Sequence, residues 1–393
     1  MQDLSAQEFA ASIMVDEDLA GFLSAIVEDD AFLAEAMAWS RARNLAPPPD
    51  IVSSMLRRDV LGLARFSPPR FSGSALPPRH WLPVAIVPAS RRIAVDWAWL
   101  GPEPLRASFY ESEIRRALAL PFNRTFRYRI GLDDLIAQAD ALDSLRPDGF
   151  IFHMSRCGST LVAQILATLD DAIVISEAPP IDGALQFGRG AHPADAARML
   201  RAMVIAFGRK RSGREHRYVV KLDCWHTLAL PVFRRAFPDV PWLFLYRDPV
   251  EALVSQMRQR GMQTVPQYLP PAFYGIGAAE GASQEDYCAR VLAAICRAAL
   301  DHRGLGGGLF LNYRRLPEAV FTAVLPHFGL TADDEEQAAM LRVARQDAKA
   351  PGLPFANDAE AKQRAATDLI RRAAASHLNE IYARLETICG GLA

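Results

Sequence analysis

From residue 149 onward, five short apolar runs recur: "FIFHM" (150–154), "AIVIS" (172–176), "RYVVKL" (217–222), "PWLFLY" (241–246) and "GLFLNY" (308–313). Stretches with helical spacing of apolar residues separate them. That alternation predicts crossover helices around a parallel sheet, a doubly wound α/β fold. Ligands of such a sheet sit beyond the carboxyl ends of its strands. Each run delivers polar or ionisable residues to that edge: "SRCGST" (155–160), then Glu177, Lys221, Arg247 and Tyr313.

The first 148 residues read differently. Residues 1–66 place apolar residues at helical spacing with acids between them, interrupted by "APPPD" (46–50). Residues 67–148 open on a Pro-rich linker, "SPPRFSGSALPPRH" (67–80). A small α+β region follows, with strand patterns in "WLPVAIV" and "RRIAVDWAWL" and helix patterns in "YESEIRRALAL" and "GLDDLIAQADAL". The expected organisation is a helical module (1–66), a linker with an α+β region (67–148) and a main domain (149–393).

The chain of 393 residues has a net charge of -1, which gives no general pull toward nucleic acid or membrane surfaces. No apolar run approaches the roughly 20 residues a bilayer span needs, and the first residues carry no secretory pattern, so a cytoplasmic protein is expected. The cysteines at 157, 224, 288, 296 and 389 form no CxxC pair, which favours neither zinc nor disulfides. Only four basic residues are lysines: Lys210, Lys221, Lys349 and Lys362.

The loop 155–160 has the makings of an anion site. Its backbone N–H groups and the following helix N-terminus attract negative charge. Gly158 permits close backbone approach, Ser159 and Thr160 add hydroxyl donors, and Arg156 adds a bidentate cation. Cys157 reads as a small loop residue, although such a loop could lower its pKa and open it to alkylating agents. The lysine that a nucleotide kinase places before the Ser/Thr is missing. In "YRDPVEALVSQ" (246–256), Asp248, Pro249 and Glu251 read as N-cap, first-turn proline and capping-box partner. Arg247 and Ser255 are left over and could clamp a second anion. The strand is followed first by Arg247 where a magnesium-binding acid would be expected, so a ligand with two separated anionic groups and no metal is predicted. The glycines at 306–308 precede a strand and read as a turn.

At these residues the chain resembles sulfotransferases that use 3′-phosphoadenosine-5′-phosphosulfate (PAPS). "SRCGSTL" is similar to their 5′-phosphosulfate loop, "YRDPVEALVSQ" to their 3′-phosphate motif, and "LNYRRLPEAVFTAVLPHFGL" (311–330) to their "YExL … FLGL" segment. Together with "SEAPP" and "VVKLD", these motifs look most like tyrosylprotein sulfotransferases and related bacterial sulfotransferases. The match covers roughly residues 149–330. It implies that Ser155, Arg156, Cys157, Gly158, Ser159 and Thr160 cradle the phosphosulfate, and that Arg247, Ser255 and Tyr313 hold the 3′-phosphate side. It further implies Glu177 as the base that takes the acceptor proton. Lys221, with Arg156, would meet charge on the sulfuryl group and bridging oxygen. Arg314 replaces the Glu of "YExL", and Lys349 would belong to a late basic segment over the nucleotide.

The acceptor implied is a hydroxyl on a small molecule, a saccharide or a peptide tyrosine, with PAP as product; no metal, nucleic acid or membrane is implied, and a homodimer is allowed. Asp223 and His226 are rival bases, His153 reads as a core histidine, and the Pro- and aromatic-rich 260–277 as a lid or acceptor wall. Competing readings are an ATP-dependent small-molecule kinase and a non-catalytic nucleotide- or partner-binding protein on the same fold.

Overall fold

A computed structural model describes residues 2–43, 59, 62–89, 92–278, 281–347, 350–354 and 358–390. Lys349 lies outside the described residues. The chain divides into two compact units. One comprises residues 1–146 and 178–215, the other residues 147–177 and 216–393. Segment 178–215 thus clusters with the N-terminal sequence rather than with the strands on either side of it.

The first unit carries a four-stranded sheet of β1 (Phe71–Gly73), β2 (Trp81–Ala89), β3 (Arg92–Trp99) and β4 (Tyr128–Gly131), in the order β1-β4-β3-β2. Strand β1 lies within the Pro-rich stretch expected to be only a linker, and pairs parallel with β4. Strands β3 and β4 are antiparallel, and the Asp96–Arg129 pair in their register makes a bidentate bridge of 2.5 and 2.8 Å. Helices Gln2–Val15, Glu17–Ser24 and Asp29–Ala42 occupy the part of the sequence with helical spacing. Their apolar residues Phe9 and Phe32 join Phe122 and Phe126 in one ring cluster. Asn123 holds both main-chain groups of Trp99, accepting from its N–H and donating to its carbonyl at 2.8 Å each.

The second unit is built on β5 (Gly149–His153), β6 (Ala172–Ser176), β7 (Arg217–Lys221), β8 (Trp242–Tyr246) and β9 (Gly308–Asn312), all parallel, in the order β6-β7-β5-β8-β9. These are the five apolar runs of the sequence. Every residue of β5 and β8 is buried, as expected for central strands covered on both faces. The chain starts at the centre, fills one side and then crosses to the other, so the strand order reverses beside β5. Crevices at such reversals are where open α/β sheets bind ligands. Phe150 and Phe152 stack edge-on against Phe233, and Phe152 also meets Trp242. Gly306 and Gly307 have φ of 75° and 71° and lead into β9 as the turn expected of the triple glycine. Among the described residues no helix is long and apolar enough to cross a membrane.

Phe152 is fully buried one residue before the end of β5. Its replacement by alanine should cost about 3–5 kcal/mol of stability. Urea unfolding followed by circular dichroism measures this, and a loss below about 1 kcal/mol would mean the sheet is not anchored through this ring.

Candidate functional site

The ends of β5, β6, β7, β8 and β9 bring the polar residues together as the sequence predicts. After His153 the chain turns through Ser155 (φ 81°), Arg156 (φ 53°) and Gly158 (φ 85°) before helix Ser159–Leu166 begins. Left-handed residues in close succession gather N–H groups into a concavity suited to an anion. The helix cap is Gly158 itself, with no side-chain cap. Neither Ser159 nor Thr160 is therefore spent on capping, and their hydroxyls take no protein partner among the described residues. Gly158 also faces Tyr313: a Cβ there would stand 2.7 Å from its ring.

Arg156 reaches the carbonyl of Gln259. Burial pulls its pKa down, while the nearby Glu177 works against that. Cys157 is a small residue of the loop, as the sequence suggests, and the lowered pKa that the loop could have given its thiol is not found. Its side chain is fully buried and donates to the Leu245 carbonyl at 3.1 Å, and burial pushes its pKa up to about 12. Only its backbone is available to the loop. All five cysteines are free and buried.

On one flank sit Glu177 and Lys221. Ser176 and Lys221 are register partners in β6 and β7, so Glu177 follows directly beside the lysine. Its N–H donates to the Lys221 carbonyl at 2.8 Å, and its φ is 50°. Lys221 is 0% exposed and its Nζ is ion-paired with Glu177 Oε1. It does not snorkel to solvent. His153 Nε2 lies 3.5 Å from the same carboxylate oxygen. Burial of Glu177 would raise its pKa; Lys221 and then His153 outweigh that and hold the carboxyl well below the usual range.

His153 has a fixed tautomer. Its Nδ1 accepts from the Ser155 N–H at 3.1 Å, so the proton sits on Nε2, which donates to the Leu222 carbonyl at 2.9 Å. Burial lowers its pKa, and Lys221 adds to this against the pull of Glu177. It is a satisfied core histidine, as the sequence suggests, but one that touches the site. Asp223 and His226 face each other at 3.9 Å.

On the other flank, Asp248 caps helix Pro249–Arg258 by accepting from the Glu251 N–H at 3.1 Å. The capping box does not close, however. Glu251 turns instead to Arg247 and takes its Nε at 2.6 Å. The second arm of Arg247 donates to Asp358 at 2.7 Å, and its guanidinium lies 3.9 Å over the Tyr313 ring. Against the cost of burial, Asp358 and Glu251 hold the guanidinium's pKa up. The fork of Arg247 is thus closed on two carboxylates rather than opened toward Ser255, which is half-buried on the second turn of the helix that follows. Asp358 also bridges to the buried Lys362 at 2.8 Å. Arg314, at the position of the "YExL" glutamate, pairs with Glu386 at 2.5 Å, and Glu386 also accepts from Tyr246 and Asn312.

Sequence reasoning missed Asp358, Lys362, Gln256 and Gln263. Gln263 lies in 260–277, where Gln263 and Thr264 are buried and Tyr268 is exposed. The scarcity of lysine was a usable signal for Lys362.

No family model and no curated protein matches the chain. Solved structures do match. Several of the structures it resembles are sulfotransferases. Sulfotransferase STF9 from Mycobacterium avium is 14% identical over 61% of this chain and 79% of its own, with a TM-score of 0.35. The sulfotransferase domain from the curacin biosynthetic pathway is 14% identical over 59% and 98%, TM-score 0.39. A mouse sulfotransferase complexed with PAP is 11% identical over 64% and 93%, TM-score 0.34. At such distances, residue roles follow from this chain's own side chains.

His153 and Glu177 both titrate below their ordinary values of 6.5 and 4.5. Between its folded and ordinary values, each group binds more protons unfolded than folded, so stability falls as pH falls. The His153 share is complete above 6.5 and lost below it, and the Glu177 share is lost only below 4.5. Thermal melts should therefore drop between about pH 6.5 and pH 5, and His153→Asn should flatten that slope. An equally steep slope in the variant would exclude His153 as its source.

Proposed function

We propose that this protein is a sulfotransferase that moves a sulfuryl group from PAPS to an acceptor hydroxyl on a small molecule, a saccharide or a peptide tyrosine. The observation that carries this reading is the left-handed loop 155–158, flanked by the buried Lys221–Glu177 pair on one side and the Arg247–Tyr313 stack on the other, all at one sheet edge. A donor with a 5′-phosphosulfate and a 3′-phosphate needs two anion positions and a cation near the transferred group. The residues fit such a ligand. The loop N–H groups with Arg156, Ser159 and Thr160 would hold the phosphosulfate, and Arg247 with Ser255 the 3′-phosphate. Asp358, a carboxylate on the Arg247 fork, stands where a phosphate oxygen would bind.

In the transfer, a bond forms from the acceptor oxygen to sulfur, and the bond from sulfur to the phosphate oxygen breaks. The leaving phosphate keeps the electron pair and Glu177 takes the acceptor proton. Positioning and charge stabilisation supply most of the acceleration. Paired with Lys221, Glu177 is too weak a base for this task. As Lys221 turns its ammonium to the sulfuryl and bridging oxygens, the carboxylate loses its counter-charge and gains basicity. The same movement therefore stabilises the leaving group and readies the base.

Calorimetric titration with PAP tests the donor site. Binding should be tight and independent of magnesium, about ten- to a hundredfold weaker in Arg247→Ala, and a few-fold tighter in Asp358→Asn. Preference for magnesium–ATP would overturn the reading. In sulfuryl-transfer assays, Glu177→Gln should lower kcat by about 10²–10⁴ with PAP binding retained; full activity would remove Glu177 from the base role.

A further inference from the structure

The hydroxyl of Ser155 is surrounded in an unusual way. Gln256 Nε2 donates to its Oγ at 3.0 Å, and Gln263 Nε2 donates to the same oxygen at 2.9 Å. A hydroxyl has two lone pairs and one proton. Both lone pairs are filled, so the proton is its sole remaining hydrogen-bonding capacity. Among the described residues no protein acceptor takes that proton.

The first donor is itself held in orientation. Gln256 cannot be turned over, because its Oε1 accepts the Gly261 N–H at 2.9 Å. It is fully buried, and Gln263 is 4% exposed. Gln263's carbonyl accepts from Tyr274 Oη at 3.0 Å, and its side-chain amide fills the space that a Cβ would need at Gly261. The third anchor is His153, whose Nδ1 takes the Ser155 N–H. Two amides and an imidazole thus fix a serine whose φ of 81° is uncommon for any residue but glycine.

We infer that Gln256 and Gln263 are positioning residues that make Ser155 an obligate hydroxyl donor within the anion loop. Resting on the sulfotransferase reading, this deepens it. An obligate donor suits an oxygen that carries no proton. The terminal oxygens of an ionised phosphate or sulfuryl group are such acceptors.

The test converts one positioning donor to an acceptor of the same shape. In Gln263→Glu, the carboxylate takes the Ser155 proton and turns it away from the ligand. PAP affinity, measured by calorimetry at about pH 8 where the phosphates are fully ionised, should fall roughly ten- to a hundredfold, and about as far in Ser155→Ala. The double variant should be no weaker than the weaker single variant, because both remove the same hydrogen bond. A double variant whose loss is the product of the two single losses would mean that the introduced carboxylate acts by charge or by disturbed packing. That result would overturn the inference, as would unchanged affinity in Gln263→Glu. If Gln263→Glu does not fold, Gln256→Glu makes the same conversion, since one carboxylate oxygen still accepts from Gly261. Failure of the wild type to bind PAP would instead count against the sulfotransferase reading itself.

Discussion

The ion pair between Lys221 and Glu177 organises the site. A lysine with no exposure must have a counter-charge, since an unpaired buried ammonium is far too costly to keep. Strand register delivers that counter-charge: Ser176 opposite Lys221 leaves Glu177 as the next residue of the neighbouring chain segment. From the pair, contacts run to His153, from His153 to the Ser155 N–H, and from the Ser155 hydroxyl to Gln256 and Gln263. The ends of three strands and the loop are thereby joined by one chain of contacts.

On the proposed reading, the two anion positions are prepared differently. At the loop, hydroxyl donors have no protein acceptor and the backbone is held in its binding shape. At Arg247, two carboxylates already satisfy the guanidinium. The first position needs only a ligand. The second requires exchange of Asp358 for the ligand, and that exchange also releases the bridge to Lys362.

Much of this was legible in the sequence because it is local. All five strands of the parallel sheet are apolar runs, and the residue after each run is read off directly. The strand–turn–helix around Gly158 and the Asp248 cap are likewise short-range patterns. What could not be read depends on distant pairing. Glu251 fits a capping box in sequence, yet a buried guanidinium one helical turn away competes for it and wins. Asp358 and Gln263 meet Arg247 and Ser155 only after folding, and nothing in their own neighbourhoods marks them. Strand β1 has three residues in a proline-rich stretch, too few to show a period. The fate of Cys157 turned on side-chain direction, since the charge around the loop matters little to a thiol aimed into the core.

Ser155, Arg156 and Glu177 all hold φ between 50° and 81°. Each such residue costs of order 1 kcal/mol relative to glycine, which meets no steric penalty there. Glycine would relieve the backbone at these three points, yet at Glu177 it would strand the buried Lys221 ammonium and at Ser155 two buried amide donors. Those losses outweigh the relief of about 1 kcal/mol. The strain is therefore held in place by side-chain contacts, and searches for more thermostable variants should leave Ser155 and Glu177 as they are.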